Sequence, residues 1–478
     1  MSTEVETKYP TAPAPEGRSV ASTEPASNHG APWRRRRYQI AAGLVAIAVI
    51  AAVTANGFLA RQYSPDGAVR QYLAALQSGD AATAWAEIQI SAPTQPVAAA
   101  LLDEAALQAA FAQSKPDVRS FDITSTTVVD ASSSLVAFSY QTSSGTKQYK
   151  FLVERSGQRR FGLYPVWQLV VPPAVLQVTV PAGSGGLAVD GKALDLAVGA
   201  SYTLALLPVV HKIEFKASQM LTAQAIKVDA TFSAGRTVNY QPKLTPAGAA
   251  EAQGAIAAYL AGCGKQIDLS PNGCPQSYSN PFIGSGTWQL VGDPTRDLAL
   301  NFDQNLNPTA TGHFQMVISY QEAGIDGVNH WPSSGGYKAA LALTASDVSV
   351  ISVISAKDLP GLQRPDGATD QAAKDLVTKA FGACAAAKSA SPADCPQGLA
   401  FTDVTNVSWA LSGDPLAGAT VTFDQATGLL TVKGKFSMTS TYYVNGYSSG
   451  RPSYTTSFEA YLLWNGQALQ LVTIAGDF

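Results

Sequence analysis

Apolar residues fall into three successive patterns along this chain. The first is an uninterrupted stretch, Ile40–Ala60, without a charged side chain. The second is helical. After Ser64-Pro65-Asp66, Val69, Tyr72, Leu73 and Leu76 recur at i, i+3, i+4 and i+7, which places them on one helix face. Ser64 supplies a capping hydroxyl, and Pro65 suits a first turn where its missing N–H costs nothing. Gly79-Asp80 closes that helix and opens another with Trp85 and Ile88 facing inward, and a third helical segment covers Asp103–Phe111. The third pattern is alternation. Phe121–Val129, Leu135–Tyr140, Tyr149–Glu154 and Phe161–Val170 read as strands separated by Ser/Gly turns,. Helices followed by an antiparallel meander predict an α+β unit. From 171 to 246 only strand signals remain: Leu176, Val178 and Val180 alternate, and Asp190-Gly191 marks a hairpin turn,.

Beyond that point the pattern repeats. Cys263 and Cys274 return 121 positions later as Cys384 and Cys395, the chain's only other cysteines. The same offset carries Trp288 onto Trp409, Gly292-Asp293-Pro294 onto Gly413-Asp414-Pro415, and Phe302-Asp303-Gln304 onto Phe423-Asp424-Gln425. Each copy opens with an alanine-rich helical stretch, Gly248–Ala261 or Thr369–Ala383, that ends at its first cysteine. Pro360–Ala368 is the linker between copies,. The expected layout is a disordered cytoplasmic tail (1–37), a transmembrane helix (38–60), an α+β domain (64–170), a β-sandwich-like module (171–246), and two disulfide α+β repeats (247–357 and 368–478). The fold class is thus an α+β multidomain ectodomain on one transmembrane helix.

Charge and cysteine content refine this picture. With 46% hydrophobic and 14% charged residues, the chain has the composition of packed domains,. Its net charge of −3 gives no reason to expect a nucleic-acid partner,. Met1–Pro32 is rich in Pro, Ala, Ser, Thr and Glu and lacks the apolar surface needed to offset the entropy of ordering. Arg34–Arg37 abut the apolar run on its N-terminal side, which assigns that side to the cytoplasm and everything after about residue 61 to the exterior. A cleavable signal peptide could end near Val53-Thr54-Ala55, but the run continues through Phe58-Leu59-Ala60 and favours a retained anchor in the cell membrane. Two cysteine pairs of equal spacing suit an oxidising compartment, and the duplication favours Cys263–Cys274 and Cys384–Cys395 as disulfides.

Val69-Arg70-Gln71-Tyr72-Leu73-Ala74-Ala75-Leu76 followed by Gly79-Asp80-Ala81, with a last strand ending in Trp167-Gln168-Leu169-Val170, resembles the nuclear-transport-factor-2-like domains of bacterial envelope proteins. The resemblance covers 64–170 and implies a helix-covered, curved half-barrel, whose cavity some relatives use for catalysis. This segment has no histidine and no evident inward pair of carboxylates. Val189-Asp190-Gly191-Lys192, Leu207-Pro208 and His211-Lys212-Ile213 are similar to PEGA-type surface β-repeats and to modules of teicoplanin-resistance-associated membrane proteins, although Val209-Val210 stands where a glycine is usual. The whole layout resembles actinobacterial-type single-pass envelope proteins of unassigned role.

The chain contains no HExxH, P-loop or GxGxxG motif,. His211 is expected on a strand surface, and Asp293 and Asp414 in turns. No catalytic residue, metal site or cofactor is expected. The most suggestive surface is the last hairpin of each copy, with Trp331 and Tyr337 in the first and Tyr442, Tyr443, Tyr447, Arg451 and Tyr454 in the second. Aromatic side chains among Ser, Gly and Asn offer rigid contact area with adaptable hydrogen bonding. The function expected is non-catalytic binding or scaffolding in the bacterial envelope, toward a cell-wall polymer or a protein partner. An enzyme using the 64–170 cavity and a membrane-anchored sensor are the alternatives.

Overall fold

The computed structural model describes residues 32–92, 101–143, 145–232, 235–399 and 403–476. The expected disorder of the tail falls largely on residues 1–31, outside the described residues. The first element is a helix, Pro32–Gln62. The transmembrane expectation is corrected: among the described residues, no helix is long and apolar enough to cross a membrane. Eight of the 21 residues of Ile40–Ala60 are alanine, which adds little transfer free energy, and Thr54 and Asn56 add polar side chains,. Its last turns also meet the folded body. The Tyr164 hydroxyl donates to Asn56 Oδ1, and the Tyr63 ring lies 5.3 Å from that of Tyr164.

The helix Pro65–Ser78 forms where its cap predicts, with the Ser64 hydroxyl accepting the Gly67 N–H at 3.1 Å. It ends at Gly79, whose φ of 78° requires the left-handed conformation that glycine adopts freely,. Val69, Tyr72, Leu73 and Leu76 are all buried. They pack on a five-stranded sheet in the order Ile88–Ile90, Tyr164–Val171, Gly145–Arg160, Ser133–Thr142, Ser120–Val128. The predicted strand Phe161–Val170 starts too early. Phe161 is in the connecting turn at φ 53°, and the strand begins at Tyr164.

The next segment builds two small sheets, one of four strands and one of three. It is tied to the first sheet by Phe232, whose ring lies 5.0 Å from Tyr149, 5.2 Å from Tyr140, 5.3 Å from Phe151 and 5.7 Å from Phe138. Phe232 therefore sits on the sheet face that also receives Tyr72, 5.6 Å from Phe151.

Each repeat places one helix, Pro246–Cys263 or Asp370–Ala386, on an antiparallel sheet. The two sheets have the same order. In the first, Thr287–Leu290 pairs with Pro308–Tyr320, then Asn329–Leu343, then Val348–Ala356; in the second, Val404–Ser412 pairs with Leu430–Val444, then Tyr447–Trp464, then Leu469–Gly476. A short fifth strand flanks each sheet. The α+β class is thereby corrected. The chain is mostly β, with 44% in strands against 20% helical and six helices among the described residues. The physical reason is strand length. The hairpin strands of the repeats run to 15 and 18 residues in the second copy, while each copy holds a single helix.

Candidate functional site

Both disulfides close within one copy, Cys263–Cys274 and Cys384–Cys395, each across 11 positions. The recurring residues around them explain why they recur. The indole N–H of Trp288 donates to the Asp268 carbonyl at 2.8 Å, and that of Trp409 to the Ser389 carbonyl at 2.9 Å. The Gln276 and Gln397 side-chain amides donate to the carbonyls of Cys263 and Cys384, satisfying helix-end acceptors that lack a partner within the helix,. What the copies share is scaffold.

What they do not share brings them together. The first copy's hairpin reaches across to the second copy's disulfide loop and forms a short β-bridge, Asp326 to Pro392. The Asp326 N–H donates to the Ser391 carbonyl at 3.0 Å, the Ala393 N–H donates to the Asp326 carbonyl at 3.1 Å, and the Ser389 hydroxyl donates to Asp326 Oδ2 at 2.6 Å. Beside this bridge Asp394 grips His330, accepting its backbone N–H at 2.7 Å and contacting its ring Nδ1 at 2.6 Å. Asn329 Oδ1 accepts the Asp394 N–H in return. The Trp331 ring lies 5.1 Å from Tyr461 of the second copy.

These contacts frame a cleft of about 740 Å³ between the repeats. Tyr320, Ile325, His330 and Trp331 line it from the first copy. Asp394, Leu399, Tyr454, Thr455, Thr473 and Ile474 line it from the second. Its volume lies in the range of small-molecule sites, which combine apolar walls with a few placed polar groups. The Nδ1 of His330 is engaged by Asp394, so Nε2 is the ring nitrogen left for a ligand, and the carboxylate fixes the ring's orientation.

The candidates read from the sequence separate into three groups. Trp331 and Tyr454 line the cleft. Tyr337 and Tyr442 are buried in the cores of their own copies. The Tyr337 hydroxyl donates to the Pro294 carbonyl at 2.9 Å, and burial holds it well above the usual phenol range. Tyr443 and Tyr447 are exposed, the latter at 80%, near a tight turn whose Asn445 and Gly446 both have positive φ,. Arg451 pairs with Ser440 in the strand ladder, and its side chain lies outside the described residues.

Sequence reasoning missed Asp394 and His330. One signal was available: at the offset of 121, Asp394 falls on Gly273. Gly273 has φ 77° and Asp394 φ 57°, so a position suited to glycine carries a carboxylate in one copy alone. His211 is a second correction. It is buried, not on a strand surface, with Asp190 Oδ2 and the Leu207 carbonyl each 2.6 Å from a ring nitrogen. The burial follows from Asp190, which turns the hairpin and offers an acceptor inside it. Asp293 does sit in a turn, accepting the Thr295 N–H and hydroxyl.

No family model matches the chain, and no curated protein matches it. Among solved structures, an "Ntf2 like protein involved in plasmid conjugation" is similar at 8% identity, over 40% of this chain and 78% of that one, with a TM-score of 0.14. A likeness this slight carries no argument about fold or function.

Proposed function

We propose that this chain is a non-catalytic, extracytoplasmic binding protein of the cell envelope, and that its ligand is held in the cleft between the two repeats. The observation that carries the reading is the cleft itself. A space of about 740 Å³ is walled by both copies and oriented by the contacts of Asp394 with His330. Two disulfides support an oxidising compartment,. The rival site, the face of the sheet in 64–170, is occupied by side chains: Phe138 and Phe151 are buried there and Phe232 packs over them. The test is retention of the purified full chain on isolated cell envelopes. Thr455→Arg, at an exposed position of the cleft wall, is expected to weaken retention by about tenfold or more, a loss of about 1.4 kcal/mol. Retention that ignores this substitution overturns the reading.

A further inference from the structure

The side chains that shape the cleft also restrict what it can hold. Resting on the binding reading above, we propose that the ligand is an uncharged carbohydrate chain. Charge argues first. Among the described residues lining the cleft, the acidic and basic side chains are Asp394 and His330, and they are engaged with each other. Among the described side chains of this wall, a phosphate- or carboxylate-rich ligand meets no lysine or arginine, and binding such groups depends on charge-assisted donors,. A cationic ligand meets no carboxylate left unpaired.

The rest of the wall matches a sugar. Tyr320, Trp331 and Tyr454 supply aromatic surface, and Ser391, Thr455 and Thr473 carry hydroxyls, that of Thr455 lying 2.6 Å from the Ser437 hydroxyl. A pyranose has an apolar C–H face that packs on an aromatic ring and a rim of hydroxyls that exchange hydrogen bonds with side chains of this kind. A neutral peptide has the same net charge but seeks strand edges for its backbone. One wall's edge is already engaged: the Ile474 N–H donates to the Asp394 carbonyl at 3.1 Å.

The experiment is calorimetric titration of the full chain with chitohexaose, cellohexaose and maltohexaose, each to about 10 mM, beyond the weak end of specific affinity. A (Gly-Thr)6 peptide and tripolyphosphate are the comparison probes. At least one hexasaccharide is expected to saturate the protein. Trp331→Ala and Thr455→Arg are each expected to weaken it by about tenfold or more. Trp331 also packs on Tyr461, so Thr455→Arg guards against a variant that merely misfolds. Saturation by the peptide, lost in Thr455→Arg, or by tripolyphosphate, lost in Thr455→Glu, overturns the carbohydrate and leaves the binding cleft standing. Failure of all three hexasaccharides, while envelope retention still depends on Thr455, does the same. Hexasaccharide binding unaffected by both substitutions overturns the assignment to this cleft.

Discussion

His330 and Asp394 lie 64 positions apart and in different copies of a duplicated unit, yet one carboxylate holds both the backbone N–H and the imidazole of the histidine. Asp394 does so from φ 57°, a left-handed conformation that the matching Gly273 adopts without penalty,. The strain is kept where two repeats must be held at one spacing, as strained backbone commonly is at sites that do something.

Asp394→Gly separates the grip from the backbone it sits on, because copy one already shows that glycine fits this turn. Losing two bonds to a carboxylate costs about 2–3 kcal/mol when the partners are partly buried. Relief of the left-handed residue returns about 1 kcal/mol. The net loss in a urea titration is therefore expected to be small, about 1–2 kcal/mol. Local opening is expected to be large: hydrogen exchange at Asp326 and Ala393, whose N–H groups bridge the copies, should accelerate,. Unchanged exchange at those two amides would show that Asp394 does not govern the contact.

Much of the scaffold could be read in advance, because its causes are local. Ser64 caps a helix whose apolar face is written in Val69, Tyr72, Leu73 and Leu76, and the cysteine pairs repeat with their tryptophans and glutamines. The cleft could not be read, because its walls are 60 (Trp331 to Ser391) to 154 (Tyr320 to Ile474) positions apart in sequence and depend on which surface of one copy meets the other,. Tyr337 and Tyr442 misled for a related reason. Alternation tells which residues of a strand share a face, but not whether that face looks at solvent or at the copy's own helix. The strand content was underestimated because the hairpins of the repeats extend through Ser/Thr-rich segments, such as Tyr447–Trp464, whose polar residues look like loop.

The two disulfides are expected to differ in consequence although they match in sequence. Replacing either pair with alanine removes a short closed loop worth about 3 kcal/mol on loop-closure grounds. Only the Cys384–Cys395 loop carries Ser389, Ser391, Ala393 and Asp394, which meet the first copy. Removing that pair should lower both thermal stability and ligand retention. Removing Cys263 and Cys274 should lower stability and leave retention within about twofold at a temperature where the variant is folded. Equal loss of retention in both variants would contradict the cleft.

Phe232 is the joint between the first sheet and the β module. Four aromatic rings of that sheet lie within 5.7 Å of its centroid. It is only partly buried, so Phe232→Ala is expected to cost about 2–3 kcal/mol, below the range for a fully buried phenylalanine. The loss should be read as a lower melting temperature with increased exchange of the Ser133–Thr142 and Gly145–Arg160 amides, and with no change in ligand retention. Weakened retention in this variant would move the functional site toward the 64–170 sheet.

Asp297 supplies a pH dependence whose sign follows from its surroundings. Burial pushes its carboxyl upward, but the His313 ring, its charge and the His313 backbone N–H together outweigh burial and hold it below the ordinary carboxylate value. A carboxyl that is more acidic in the folded chain than in the unfolded one stabilises the fold above its unfolded value, about 3.9, and that stabilisation is lost as pH falls through the folded value. Melting curves of the parent chain and of Asp297→Asn should therefore be separated near pH 7, with the parent more stable. They should converge as the pH is lowered below about 4, where the parent's carboxyl takes up its proton. Asp297 is partly exposed, with a side-chain exposure of 30%, so screening limits the separation,. A gap that stays constant from pH 7 to pH 3 would mean that Asp297 acts through shape alone and that its charge contributes nothing to holding His313.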